Sequence, residues 1–205
     1  MLSLDVERSL WVQGIERVAG VDEAGRGPLA GPVVAAAVVF RPGAWIDGVD
    51  DSKKLTARRR EELFDRICGD ALTVGVSIVG HDVIDTINIL EATMQAMDEA
   101  ISRLSPLPGY LLIDGPRFHA SSIPTKPIID GDANCFSIAA ASIVAKVTRD
   151  RIMLEMDSRY PQYGFAKHKG YGTREHLEAL RKFGPCEIHR LTFRMPGKAG
   201  ESHGE

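Results

Sequence analysis

The chain has 205 residues, 44% of them hydrophobic and 26% charged, and a net charge of −3, a composition that excludes a disordered or fibrous chain and suits a single folded domain with a sizeable core. It holds no run of 18 apolar residues and no basic segment leading into an apolar one at MLSLDVERSLW, so neither a membrane span nor a signal peptide is expected, and the cytoplasm is the expected location. Cys68, Cys135 and Cys186 are too few and too widely spaced for a disulfide framework or a zinc site.

Residues 15–24 read as a strand entering a turn, and 32–40 (PVVAAAVVF) as a buried strand, because the run is continuously apolar. GRGPLAG between them is a strong turn signal, so the two strands are expected to form a hairpin with a long, shaped loop. Residues 57–68 predict a helix with Thr56 as N-cap and Gly69 as terminator, and 71–80 a third strand. Ile87, Leu90, Met94, Met97, Ile101 and Leu104 recur at spacings of three and four, which predicts one amphipathic helix with Asp85 as its cap. Residues 110–114 (YLLID) and 126–130 (KPIID) read as short strands. Residues 134–158 predict a long helix whose first half, CFSIAAASIVA, is apolar all round and therefore central. A short helix over 173–183 is closed by Gly184-Pro185, and 196–205 is expected to be a disordered tail. Strands first, then alternating helices and strands, predict an α/β fold with a mixed sheet and helices on both faces.

The charge is unevenly distributed. Residues 146–198 hold 12 Lys/Arg against 6 Asp/Glu, whereas residues 1–145 hold 13 against 20. A basic third beside an acidic remainder suits a polyanionic ligand held near a metal site.

The densest chemical signal is VAGVDEAGRGPLAGPVV, where Asp22 and Glu23 close an apolar strand and would be costly if buried alone. Neighbours in a strand point to opposite faces. One of the pair is expected to bind through its side chain; the other either reaches from the strand end or binds through its carbonyl. Asp114 ends the apolar stretch LLIDG and Asp132 sits in IIDGDAN, whereas Asp130 reads as a turn residue. Carboxylates at the ends of adjacent strands converge on one sheet edge. Hard oxygen donors without His or Cys point to Mg²⁺ or Mn²⁺, and two such ions suit phosphodiester hydrolysis.

These blocks form a pattern. DEAGRGPLAGPVVAAAVV, DSKKL, INILEATMQAM, LLIDG, GDANCFSIAAASIVAKVTRDR, YPQYGFAKHKGYGT and HRLTF together closely resemble bacterial ribonuclease HII, in order over roughly residues 17–194. The resemblance implies a ribonuclease H-like mixed sheet flanked by helices. It implies one domain over 1–195, with a small helical C-terminal segment at about 160–195. It implies an endonuclease that cuts the RNA strand of RNA–DNA hybrids and incises 5′ of single ribonucleotides in duplex DNA, leaving 3′-hydroxyl and 5′-phosphate ends. The implied cofactors are two Mn²⁺ or Mg²⁺ ions held by Asp22, Glu23, Asp114 and Asp132, the last the least firm as a ligand.

Gly25-Arg26-Gly27 looks like the family's ribose reader. Glycine admits a close approach of backbone to the 2′-OH, and Arg26 can pair with a flanking phosphate. Tyr171 in HKGYGT is similar to the tyrosine that stacks on the next deoxyribose. Lys53, Lys54, Lys146, Lys169 and Arg190 are candidate phosphate contacts. Arg149 and Asp150 read as a structural ion pair, and Cys68 and Cys135 as buried small residues. His168, His176 and His189 are not needed as a base, and Ser137 and Ser142 lack the partners of a nucleophile. The glycine loop lacks G-x-x-x-x-G-K-[ST] and enters a strand, which argues against a nucleotide cradle. A resolvase-like nuclease would cut pure DNA, and a non-catalytic hybrid binder would not need all four carboxylates. A monomer without membrane contact is expected.

Overall fold

A computed structural model of the protein describes residues 2–119 and 121–193. The expected tail at 196–205 lies outside these. Five strands form one mixed sheet: β1 (Val18–Ala24), β2 (Val33–Val39), β3 (Thr73–Val79), β4 (Tyr110–Asp114) and β5 (Thr125–Ile128), in the order β3-β2-β1-β4-β5. β1, β2 and β3 pair antiparallel, whereas β1, β4 and β5 run parallel. The first pairing is the expected hairpin, and the parallel pairs need helical crossovers.

The apolar run of β2 divides by residue parity. Val34, Ala36 and Val38 face a core completed by α2 (Ala57–Asp70) and α6 (Phe136–Arg159), while Val33, Ala35, Ala37 and Val39 face α4 (Ile89–Ser102). A strand covered on both faces has no polar side to show, which explains the unbroken VVAAAVV. Ser137 and Ile138 of α6 lie so close to Gly20 that a Cβ there would fall 2.1 Å from the Ser137 carbonyl carbon. Farther on, Arg149 reaches Gly25. The 12 residues from Ser137 to Arg149 rise about 18 Å, and the five from Gly20 to Gly25 advance about 17 Å. The long helix therefore runs alongside β1 in the same direction and carries its second half to the strand's carboxyl end.

Several local expectations change. α1 (Asp5–Trp11) is an additional helix, whose buried Glu7 accepts from Ser137 N at 2.9 Å. Thr56 caps α2 by accepting from Arg59 N, yet the helix continues through Gly69 to Asp70. The single helix expected at 87–104 is two, α3 (His81–Ile87) and α4, broken at Asn88, whose φ is 71°. Asn88 Oδ1 accepts from Leu90 N and Glu91 N, so it caps α4. Asp85 instead accepts from the backbone N–H groups of Leu191 and Thr192 and from the Thr192 hydroxyl.

α5 (Gly131–Asn134) and α7 (Phe165–His168) are single turns, and α8 (Arg174–Phe183) is capped by Thr173. Leu29 and Ala30 of the hairpin loop, Met153 of α6 and Phe165, Leu180 and Ile188 share one apolar cluster. The C-terminal segment is thereby packed against the loop that follows Asp22 and Glu23. Among the described residues no helix is long and apolar enough to cross a membrane.

Candidate active site

Val21 on β1 pairs with Ile113 on β4, so the next residues, Asp22 and Asp114, stand side by side where that pairing stops. Parallel register thus brings together two carboxylates that are far apart in the chain. Asp22 is 5% exposed, and its Oδ1 accepts from Glu23 N at 2.7 Å. Asp114 Oδ1 accepts from Gly131 N at 2.8 Å and Asp132 N at 3.3 Å, which fixes the α5 turn beside β4. Asp130, with φ 52°, is the left-handed turn residue that permits this entry. Asp132 is 5% exposed and its Oδ2 lies 2.9 Å from Lys53 Nζ.

Burial, then Glu23 and Asp114, push the Asp22 carboxyl well above its ordinary range. Burial and Asp132 raise Asp114, and burial raises Glu23 against the opposing pull of Arg26. Three crowded carboxyls that resist ionisation are a site in need of positive charge. Arg26 Nη1 lies 3.4 Å from Glu23 Oε1, and the Asp132 hydrogen bond raises Lys53 further above its usual value. Among the described residues no three His, Cys, Asp or Glu side chains are already closed around one metal position. With Lys53 drawn to Asp132 and Arg26 to Glu23, two side-chain cations partly answer the need. The donor set is all carboxylate oxygen and suits a hard divalent cation.

Asp22, Glu23 and Asp114 line one cavity of about 210 Å³ with Gly25, Arg26, Gly27, Lys53, Lys146 and Tyr171. Asp22 and Glu23 both line it despite their alternate parity; the β1–β4 pairing has ended before them, while β1 stays paired with β2 through Ala24. Gly25 has φ 102°, and a Cβ on it would meet Arg149 Nε at 2.1 Å. Only glycine fits that position. Tyr171 stands opposite at 46% exposure, its ring edge 3.6 Å from where a Gly27 Cβ would be. Ser52, bonded by Ser142 Oγ at 2.7 Å, completes the wall and had no separate signal in the sequence.

The basic residues divide. Lys53 and Lys146 line the cavity, the latter bonded to Asp150 at 2.7 Å. Lys54 is drawn to Asp50 at 3.2 Å. Lys169 does not line the cavity; its ammonium is turned onto the Ala166 carbonyl. Arg190 is not an open phosphate contact but a buried side chain, 3% exposed, whose guanidinium serves the carbonyls of Gly25, Arg26 and Gly31. Arg149 does not pair with Asp150. It is 1% exposed and donates to the carbonyls of Pro32, Ala30 and Lys169. The signal for Arg149 was present: it lies four residues from both Ala145 and Met153, on the buried face of its helix.

Cys68 is exposed, against expectation, whereas Cys135 is buried with its Sγ 3.1 Å from Glu7 Oε1. His168, His176 and His189 are buried behind the Tyr171 segment and none lines the cavity.

A family model described as ribonuclease HII matches residues 19–195. The chain belongs to the ribonuclease HII family. It is an endoribonuclease, a phosphodiester hydrolase. It is similar to a ribonuclease HII of Geobacter metallireducens, 58% identical over 195 residues and covering 92% of each chain. It is 55% identical to a ribonuclease HII of Acetivibrio thermocellus, over 91% of this chain and 73% of that protein. Among solved structures it is similar to the ribonuclease H2 of Pyrococcus horikoshii, with a TM-score of 0.73, 29% identity and coverage of 87% of this chain and 94% of that one. It is also similar to the ribonuclease HII of Archaeoglobus fulgidus, solved in complex with PCNA, at a TM-score of 0.75 and 27% identity over 89% and 98% of the two chains. The chain therefore has the ribonuclease H-like fold expected from its sequence.

Proposed function

We propose that this enzyme hydrolyses the RNA strand of RNA–DNA hybrids and incises duplex DNA on the 5′ side of a single ribonucleotide, leaving 3′-hydroxyl and 5′-phosphate ends. The observation that carries the reading is the shared cavity, which sets Asp22, Glu23 and Asp114 against Gly25–Gly27 and Tyr171. Carboxylates that could hold a metal face a backbone loop that could feel a 2′-OH, and an aromatic ring that could lie on the next sugar.

In this reading Asp22, Glu23 and Asp114 hold divalent metal, two Mn²⁺ or Mg²⁺ ions, and Asp132 completes the set at its Lys53 side. Bound metal would supply charge stabilisation at the phosphate and an acidified water. The protein's own part is positional. Gly25, Arg26 and Gly27 hold the ribose through main-chain groups, and Arg26 and Lys53 meet flanking phosphates. Tyr171 stacks on the deoxyribose that follows, which selects an RNA-to-DNA junction. Lys146 adds positive charge beside the same strand. The 2′-OH is recognised and not used as the nucleophile, in keeping with the 5′-phosphate product.

The test is incision of end-labelled duplexes containing one ribonucleotide, no ribonucleotide or a full RNA strand, each with Mg²⁺ and with Mn²⁺. Cleavage of the first and third but not the second is expected. Cutting of the all-DNA duplex at a comparable rate would replace this reading with a general DNA nuclease.

A further inference from the structure

The segment from Gly25 to Pro32 connects the two hairpin strands and shapes one wall of the catalytic cavity. It holds no regular structure, yet many of its carbonyls are engaged by side chains from distant parts of the chain. Arg190 Nη2 donates to the Gly25 carbonyl at 2.6 Å, its Nη1 to Arg26 at 3.0 Å and its Nε to Gly31 at 2.9 Å. Arg149 donates to the carbonyls of Ala30 at 3.1 Å and Pro32 at 2.9 Å. Arg190 N itself donates to Leu29 O at 2.9 Å, and the guanidinium lies 4.9 Å from the Phe193 ring centroid. A guanidinium with three backbone acceptors and an aromatic face is held rigidly.

In a trans peptide the C=O of one residue and the N–H of the next point in opposite directions. The Gly25 and Arg26 carbonyls point at Arg190. The N–H groups of Arg26 and Gly27 therefore point away from it, and these same residues line the cavity beside Asp22 and Tyr171.

We infer that Arg190 is the positioning residue for ribose recognition: by holding the Gly25 and Arg26 carbonyls it turns the Arg26 and Gly27 N–H groups toward the substrate's 2′ position. Arg190 never touches substrate; it acts through the orientation of two peptide planes. The inference rests on the proposed reading of Gly25–Gly27 as the ribose reader. It assigns to a residue 165 positions away the geometry that such a reader needs.

The test compares affinity for a duplex with one ribonucleotide and for its all-DNA counterpart, using Asp22→Asn protein to prevent cleavage and Arg190→Lys and Arg190→Gln in that background. Thermal melts establish that each variant is folded. Arg190→Lys is expected to reduce the ribonucleotide-to-DNA preference about tenfold, the worth of one well-made hydrogen bond. Affinity for all-DNA duplex should stay within about twofold, since no phosphate contact is removed.

A merely structural role would weaken both duplexes alike, and an unchanged preference in a folded variant overturns the inference. If neither variant folds, the arginine is structural and the inference also falls. If the protein with Arg190 intact shows no preference, the ribose-reading function itself is at fault. That outcome is distinct from a preference that survives the loss of Arg190.

Discussion

Lys53 Nζ lies 2.9 Å from Asp132 Oδ2, across a gap of 79 residues, and this pair closes one side of the carboxylate cluster. The lysine is largely exposed, so the pair adds little to stability. Its significance is electrostatic, because an ammonium on Asp132 answers charge that a metal or a phosphate would otherwise alter. Lys53→Met is expected to raise KM for a single-ribonucleotide duplex severalfold, roughly threefold to tenfold. The half-saturating Mn²⁺ concentration should fall as Asp132 is released. The melting temperature should move by less than about 4 °C. Steady-state kinetics across a metal titration check this, and unchanged KM would remove Lys53 from the substrate path.

Asp22 is the most burdened carboxylate, with burial, Glu23 and Asp114 all opposing its ionisation. Asp22→Asn removes the charge of a proposed metal ligand while keeping its shape. Cleavage is expected to drop on the order of a thousandfold or more. Hybrid binding should be retained or tightened, because one negative charge facing phosphate is lost. Single-turnover rates and fluorescence anisotropy on the same duplex separate the two effects. Normal turnover with normal metal dependence would contradict the assignment.

Tyr171 presents a half-exposed ring over Gly27. Tyr171→Ala is expected to slow junction incision about tenfold, the size of one stacking contact. Tyr171→Phe should retain most of the rate because the ring is kept. Equal rates for the wild type and the alanine variant would show that the ring does not hold the substrate.

Behind Tyr171 sits a cluster of buried histidines. Gly170 N donates to His168 Nδ1 at 3.2 Å, and Cys186 N donates to His189 Nδ1 at 2.8 Å. His176 Nδ1 lies 2.9 Å from the Tyr171 carbonyl, so it carries the proton, and its Nε2 must accept from His189 Nε2 at 3.0 Å. Burial pushes His176 down to about 4 from its ordinary 6.5. The folded state thus resists a proton that the unfolded state takes up. Stability contributed here is complete above about pH 6.5 and is lost as pH falls through about 4. Burial raises Asp22, Glu23 and Asp114, which act with the opposite sign, so the difference between proteins isolates the histidine. His176→Asn keeps a donor for the Tyr171 carbonyl, and the melting temperature of the wild type minus that of the variant should fall from pH 7 to 4. Parallel profiles for the two proteins would exclude this role.

Much of the fold was legible because its signals are local. Turn residues bracket the β1–β2 hairpin, and an unbroken apolar run marks β2 as covered on both faces. Spacings of three and four locate α4 but do not reveal the break at Asn88, because the apolar spacing continues across it. Asp85 resembled a cap from its position alone, whereas in the fold it holds the backbone of Leu191 and Thr192.

The sequence by itself determined which residues could carry the chemistry: carboxylates at the ends of apolar stretches, a glycine-rich loop that must accept unusual backbone angles, and a tyrosine between glycines. Each of those depends on a residue and its immediate neighbours. Only the tertiary structure decided what the remaining charges do. Arg149 and Arg190 looked like an ion-pair member and a phosphate contact, yet both are buried on backbone carbonyls. Lys169 turned aside, while Lys53 met Asp132. A charged side chain is placed by whichever unsatisfied group the fold brings near it, and those groups lie up to 165 residues away in the chain.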